Sequence, residues 1–283
     1  MQQQGTVCEF GSSDSWVILS PIEQSIKRKI EAVGIPLKNW DIQINYGIKT
    51  GCNEAFIITT EKRDEILANC QTEEERQRTA ELIRPILRGR DIKRYSYNWA
   101  GLWLINTHNG VKGKISRIDI NEYPAIKQHL DHYWNSISSR ADKGDTPYNL
   151  RNCAYLEDLS QPKIMWIELS DEPKFTISDY IPLNTVFFMT GEKLYDIVGI
   201  LNSPIYKWYF THCIGTTSGV GTNRWLKYTI ENLPICTSVC GISDYVLNIM
   251  NGKITAEAGQ MAIDKLLAES IKLTLEEKFI VAD

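Results

Sequence analysis

The chain has 283 residues, 43% of them hydrophobic and 23% charged, with a net charge of −4. This composition fits one large globular domain, or a domain with an appendage, and excludes a disordered or fibrous chain. No apolar run approaches the roughly 20 residues that a membrane span needs. The start Met1-Gln2-Gln3-Gln4-Gly5 lacks the charged-then-apolar pattern of a secretion signal. A cytoplasmic protein without a membrane partner is therefore expected.

Residues Met1–Ser15 read as a loose tail. Ser20–Val33 reads as a helix: Ser20 can cap it, Pro21 suits its first position, and Ile22, Ile26 and Ile30 form a row at i+4 spacing. Gly34 and Pro36 end it. It has little core of its own and looks like a connector. Trp40–Ile44 alternates as a half-buried strand, and Ala55–Ile58 reads as a second strand. The Gly-, Asn- and Thr-rich loop between them, Asn45–Asn53, is either a plain hairpin turn or an anion cradle built from backbone N–H groups.

Thr72 and Glu75 form a capping box that opens a helix running into the basic stretch, with its end expected at Pro85. That stretch, Arg84–Tyr95, holds five cations in the eleven positions 84–94, set on the apolar anchors Ile86, Leu87 and Ile92. A solvated basic turn at a helix end is the plainer reading. Gly101–Ile105 is a buried strand, and Pro124–Ile137 one amphipathic helix. Pro162–Ile167 and Thr185–Met189 read as strands, Glu192–Leu201 and Pro204–Cys213 as consecutive helices. Gly215–Trp225 is a flexible loop. Beyond Cys236, the row Ile263, Leu267, Ile271, Leu275 and Phe279 predicts one amphipathic helix that packs on the body or on a partner. Strands and helices mix without βα alternation, so the expected fold class is α+β: a mixed-sheet domain with peripheral helices and a C-terminal helical appendage.

Catalytic signals fail one by one. The seven cysteines are scattered, and the close pair Cys236 and Cys240 has no second pair or nearby His to complete a zinc site. His108, His129, His132 and His212 lack metal spacing, so neither a metal site nor a catalytic residue is assigned. Ser218-Gly219-Val220-Gly221 is an incomplete dinucleotide loop. Asn202-Ser203-Pro204-Ile205-Tyr206 departs from the Asn-Pro-Pro-Tyr loop of amino methyltransferases at two positions and reads as a helix junction.

The charge, by contrast, is segregated. Acid gathers in Glu61–Glu81 and after Thr255; cations gather in Arg84–Arg94, Lys112–Arg117 and Arg140–Arg151. The basic loops are interleaved with Tyr46, Tyr95, Tyr97, Trp99, Tyr148 and Trp225 and with the amides Asn53, Asn149, Asn152 and Asn223. Arg suits guanine edges, Asn suits adenine, and Lys or backbone N–H groups hold phosphate. Stacking on single strands is the alternative.

The run Leu37–Ile42 leading into Tyr46-Gly47-Ile48-Lys49-Thr50-Gly51-Cys52-Asn53, followed by Ile83–Ile92 with its Leu87-Arg88-Gly89-Arg90-Asp91-Ile92, resembles the TaqI-like specificity domain. This is the target recognition domain of type IIG restriction-modification enzymes and related adenine methyltransferases. Asp142–Arg151, Pro162-Lys163-Ile164, Phe188, Leu201-Asn202-Ser203, Trp208-Tyr209-Phe210 and Glu231–Ile235 follow in family order, and the resemblance spans roughly Leu37–Ile235.

The resemblance implies a connector over 1–36, a DNA target recognition domain over 37–236 and a C-terminal helical segment over 237–283. It implies duplex DNA as partner, together with methyltransferase and nuclease domains of a parent chain. S-adenosylmethionine and Mg would serve that parent and not this fragment. Arg88, Arg90, Lys93 and Arg94, with Lys49 and Thr50, are expected to clamp phosphates. Asn53, Arg151, Asn223 and Arg224 are candidates to reach bases, and Gly47, Gly51, Gly89 and Gly221 to let backbone approach the duplex. All should share one face. A stand-alone specificity module docking a separate modification subunit, or an enzyme with an unrecognised site, are the competing readings.

Overall fold

The computed structural model describes residues 19–214, the backbone of 216–217, and 222–282. The tail expected over Met1–Ser15, the glycine Gly221 and part of the loop Gly215–Trp225 lie outside the described residues.

Helix α1 (Pro21–Val33) begins with a full capping box: Ser20 Oγ accepts from Glu23 N, and the Glu23 carboxylate accepts from Ser20 N. Its Ile26 and Ile30 are wholly buried, so this short helix is anchored in a core it shares with the rest of the chain. Strand β1 (Ile42–Tyr46) and strand β2 (Ile57–Thr59) follow. They do not form a hairpin: they belong to different sheets. After β1 the chain crosses over, because Ile48 bridges Leu183 in parallel, and Ala55 and Phe56 lie in a helical turn instead of the expected strand.

Helix α2 (Glu73–Leu82) is capped by Thr72, whose Oγ1 accepts from Glu75 N at 3.1 Å. It stops three residues before Pro85. Ile83–Leu87 is strand β3, since a residue before proline disfavours the helical region and the β-branched Ile83 and Ile86 favour the sheet. Pro85, which has no N–H, stands where pairing passes from strand β4 (Leu102–Ile105) to the parallel strand at Ile181–Pro182. The helix expected over Pro124–Ile137 is two, Pro124–Asp131 and Trp134–Ser139.

Strands β5 (Lys163–Ile167), β6 (Thr176–Ser178), β7 (Ile181–Pro182) and β8 (Val186–Gly191) complete two four-stranded sheets. The central one, ordered β1-β8-β5-β6, is antiparallel throughout; the second is β2-β4-β3-β7. Alternation along the central strands divides the molecule. Ile164, Trp166, Phe187 and Met189 face one core, while Met165, Val186 and Phe188 face the other. The second core is closed by the β2–β4 sheet with Ile126, Leu130 and Ile137.

The first core is closed by α1 and by helices α3 (Leu194–Leu201), α4 (Pro204–Tyr209), α5 (Ile242–Met250) and α6 (Ala256–Ile271). Ser203 caps α4, which runs on into a widened π turn over Phe210–Ile214. The single C-terminal helix of the sequence reading is broken. Lys272 takes a left-handed φ of +58°, and α7 (Leu275–Ala282) leaves in a new direction. Ile263, Leu267 and Ile271 are therefore buried, whereas Leu275 and Phe279 are 74% and 70% exposed. Helix α5 had no counterpart in the sequence reading. The fold class is α+β with a C-terminal helical region, and no helix among the described residues is long and apolar enough to cross a membrane.

One small hairpin joins the two cores. Ile92 bridges Tyr97, Lys93 N donates to Ser96 O at 2.9 Å, and Tyr95 turns the chain with φ +60°. Ile92 is buried in the second core and Tyr95 in the first, where its hydroxyl donates to Gln260 of α6.

Candidate nucleic-acid interface

Strand register brings several loops to one end of the sheets. Val186, which starts β8, pairs with Ile167 at the end of β5; the next residue, Phe187, pairs with Tyr46 at the end of β1. Leu87 at the end of β3 pairs with Pro182, and Leu183 N donates to Leu87 O. The loops leaving β1, β3 and β5, and the β7–β8 turn, thus emerge side by side.

In the β1 loop, Gly47 N donates to Val186 O, and a Cβ on Gly47 would lie 2.2 Å from Leu183 O. The close approach that Gly47 serves is to its own β7–β8 turn. Lys49 is exposed and pairs with Asp142 at 2.7 Å. Thr50 is buried; its hydroxyl donates to Asn53 Oδ1 at 2.6 Å and accepts from Cys52 N at 3.2 Å. Thr50 thereby shapes the loop, and Asn53 stays exposed beside it. Gly51 has φ +71° and a Cβ there would meet Asp142 at 2.9 Å.

The loop facing it is held by Arg140, which is only 7% exposed. Its guanidinium donates to the carbonyls of Thr50, Pro147 (3.1 Å) and Asn149 (2.5 Å) and stacks 4.2 Å above the Phe56 ring. One cation thus ties both loops together, which explains why Arg140 belongs to the structure and not to the surface charge. Asp142 also accepts from Arg151 at 3.3 Å, and the hydrogen bond from Lys49 holds its carboxyl below the usual range. A third loop joins through Asn109, whose Nδ2 donates to Asn152 at 2.6 Å and to Asp145 at 3.0 Å.

On the β3 side, Arg88 forms the local pair that its spacing allowed. Its Nε and Nη2 donate to the Asp91 carboxylate at 3.0 and 2.8 Å. Burial pushes the Asp91 carboxyl up, but these bonds and the Arg88 N–H outweigh it and leave it below the usual range. Arg90 is exposed and has no hydrogen-bond or ion-pair partner among the described residues. Gly89 N donates to Thr185 Oγ1 at 3.1 Å, and a Cβ there would touch Ile167 at 3.2 Å, so this turn rests on the ends of β5 and β8. Beside it, Arg224 is held by Glu168 at 2.5 and 3.1 Å. Asn223 is buried and donates to Thr211, away from solvent. Lys93 and Arg94 line a different hollow, with the Arg94 guanidinium donating to Asn202 O at 2.6 Å.

Between the β1 loop and the Arg151 loop lies a cleft of about 500 Å³, lined by Tyr46, Lys49, Arg151, Asn152, Tyr155 and Asn184 among others. Tyr155 donates its hydroxyl to Tyr46 O at 3.0 Å, and Tyr46 is 52% exposed. Through Asn152 the cleft adjoins a basin that carries Lys112, Lys114 and Arg117. In the sequence these three cations show only as a charge cluster. Tyr155 and Asn184 were missed; the turn-forming Leu183-Asn184-Thr185 between two strands was the available signal for Asn184. Among the described residues no three His, Cys, Asp or Glu side chains converge as metal ligands.

The result is a two-core α+β body with cations, amides and tyrosines gathered on the loops at one sheet end. The family model described as the TaqI-like C-terminal specificity domain matches residues 84–235, and the chain belongs to this family. By that membership it is a specificity domain. Among solved structures, the type IIL restriction-modification enzyme MmeI, determined in complex with DNA, shares the fold at a TM-score of 0.56 and 14% identity, over 83% of this chain and 33% of that one. The type IIG restriction endonuclease BpuSI aligns at a TM-score of 0.49 and 13% identity, over 88% of this chain and 32% of that one. The chain spans about a third of the length of these enzymes.

Proposed function

We propose that this chain binds duplex DNA with the loops at the β8 start and reads base edges in the Tyr46–Asn184 cleft. The observation that carries the reading is that gathering of side chains: an acidic chain collects Lys49, Lys112, Lys114, Arg117 and Arg151 around the amides Asn152 and Asn184 and two tyrosines, with Arg90 on the turn that Gly89 rests against Thr185 beside Asn184. Arg151 suits a guanine edge, and Asn152 and Asn184 suit adenine. Lys49, Arg90 and the Lys112–Arg117 loop neutralise phosphates. Arg224, held by Glu168, and Asn53 flank the cleft as further base contacts. Arg88, Thr50 and Asn223 set the shape of the loops that carry them.

The parent enzyme is, on this reading, a cytoplasmic site-specific adenine DNA methyltransferase with restriction endonuclease activity. Its S-adenosylmethionine and Mg belong to methyltransferase and nuclease domains outside this chain. A second reading has one observation in its favour. Leu275 and Phe279, at i and i+4 on α7, present an exposed apolar strip suited to a separate modification subunit.

Selection from a randomised duplex pool tests the proposal. Arg90→Ala should weaken all sequences alike and flatten the log–log salt slope by about 0.9. Arg151→Ala should cost about 1–3 kcal/mol on the enriched sequence alone. A pool that yields no enrichment, bound with salt-independent affinity, refutes it.

A further inference from the structure

The Arg88–Arg90 turn continues into the Lys93–Ser96 hairpin, and beyond that hairpin lies a second hollow, of about 640 Å³. Four elements converge on it: the hairpin, the segment before β6, helix α4 and the end of α7. They bring Lys93, Arg94, Lys174, Lys207 and His212 together around one wall carboxylate, Glu172. Glu172 accepts from Lys207 at 2.6 Å and so neutralises one of the cations. Asp264 of α6 feels the charge of Arg94, but burial prevails and pushes its carboxyl above the usual range.

The fittings of this hollow are not those of a solvated charge run. Arg94 is tethered by its bond to the Asn202 carbonyl, and its Nε is buried without a hydrogen-bond partner. That buried nitrogen fixes the guanidinium in place, and the Arg94 Nη1 is the nitrogen left without a hydrogen-bond partner among the described residues and not buried. Its neighbour Tyr95 holds a left-handed backbone, an arrangement kept only because the buried ring and the Gln260 bond over-determine it. His212 stands on the π turn, a helical irregularity that recurs at functional sites. Its Nδ1 bonds the Trp208 carbonyl at 2.9 Å, and its ring stacks on Trp208 at 4.9 Å. That bond orients the ring and leaves Nε2 without a protein partner among the described residues.

We infer that this hollow is a phosphodiester seat, a second DNA-backbone contact lying beyond the base-reading cleft on the far side of the Arg88–Arg94 turn. The inference rests on the duplex reading above. Lys93, Lys174 and Arg94 Nη1 hold the phosphate oxygens, with His212 Nε2 and Lys207 at the rim. A diester of the backbone fits better than an isolated phosphate compound because Lys93 and Arg94 follow the exposed Arg90 within four residues, on the hairpin that continues its turn past the buried Asp91 and Ile92. Each strand of a duplex presents a charge at roughly every 3.4 Å of its axis, so a strand passing Arg90 carries further phosphates to the hollow.

Fluorescence anisotropy of a labelled duplex across a salt series tests this with the full chain. The double variant Lys93→Gln/Lys174→Gln changes two side chains that carry no hydrogen bond described above. It should flatten the salt slope by about 1.8, from about 0.9 per phosphate contact, and leave the preferred base sequence unchanged. Glu172→Gln, which removes the carboxylate and releases Lys207, should tighten binding at low salt. An unchanged slope in the double variant, with duplex binding and sequence preference intact, overturns the seat and leaves the cleft standing. A change of sequence preference in the double variant also overturns it, because the hollow would then be reading bases. Absence of duplex binding by the unaltered chain overturns both.

Discussion

Arg140→Met would show how far the recognition loops depend on one buried cation. Arg140 supplies three charge-assisted hydrogen bonds to carbonyls of two loops and stacks on Phe56. At roughly 1.5–3 kcal/mol each, the bonds have a gross worth of about 5–9 kcal/mol. Against this stands the cost of burying the guanidinium. Desolvation pulls its pKa below the ordinary arginine range, and its Nε is buried without a partner. Methionine keeps most of the volume and leaves the three carbonyls to find water. The net loss should be about 3 kcal/mol, since three carbonyls lose their donor at about 1–3 kcal/mol each and the recovered desolvation of the guanidinium offsets much of that. Urea unfolding followed by linear extrapolation reads it as a lower midpoint at an unchanged slope. Arg140→Lys retains the charge but lacks the fork and should fall between the two. A loss below about 1 kcal/mol for Arg140→Met would mean that the loops hold their shape without the cation, and the reasoning fails.

Glu277 gives a pH signature. Burial pushes its carboxyl up, but bonds from Lys29 (2.5 Å), Thr274 N (2.7 Å) and Ser25 (2.8 Å) prevail and bring it to about 2. Its contribution is therefore whole above its ordinary value of 4.5 and disappears as pH falls toward 2, so Glu277→Gln should show a shallower acid loss of stability than the parent chain. Gly47→Ala should cost roughly 1–3 kcal/mol by thermal unfolding, because its new methyl meets the Leu183 and Pro182 carbonyls and not open solvent; an unchanged melting temperature would contradict that packing. Tyr95→Phe should cost about 1–2 kcal/mol through the lost bond to Gln260, with hydrogen exchange rising in α6 and in the 92–97 hairpin together.

What was legible in the sequence was what neighbours decide. The caps at Ser20 and Thr72, the Ile26 and Ile30 row, the strand at Leu102–Ile105 and the cation clusters are local facts, and the structure keeps them. Pairing is not local. Nothing within Trp40–Ile58 says that its strands join different sheets, since that choice is made by Phe187–Gly191 and Leu102–Leu104 far along the chain. The break at Lys272 carries no glycine to announce it, so the hydrophobic row ran on to Leu275 and Phe279, which are exposed. At the candidate site the charges were visible and their commitments were not. Arg88 is spent on Asp91 and Arg140 on carbonyls, Lys49 pairs with Asp142 at the surface, and Arg90 is exposed without a partner among the described residues. Asn184 and Tyr155 enter only because β8 brings their loops beside Tyr46.

The central sheet is walled on both faces, and this separates two kinds of change that evolution can make. Phe187 and Phe188 are adjacent in β8 yet serve opposite cores, so a substitution in this strand is felt by the whole molecule. The loops at its start are fixed by a few buried residues such as Ile48, Leu150 and Arg140, and their exposed side chains carry little of that packing. Residues such as Asn184 and Arg151 can be exchanged while the frame that aims them persists. A frame of this kind can acquire a new target by small steps at its rim, each tolerated by the fold, while its interior stays under strict selection for shape.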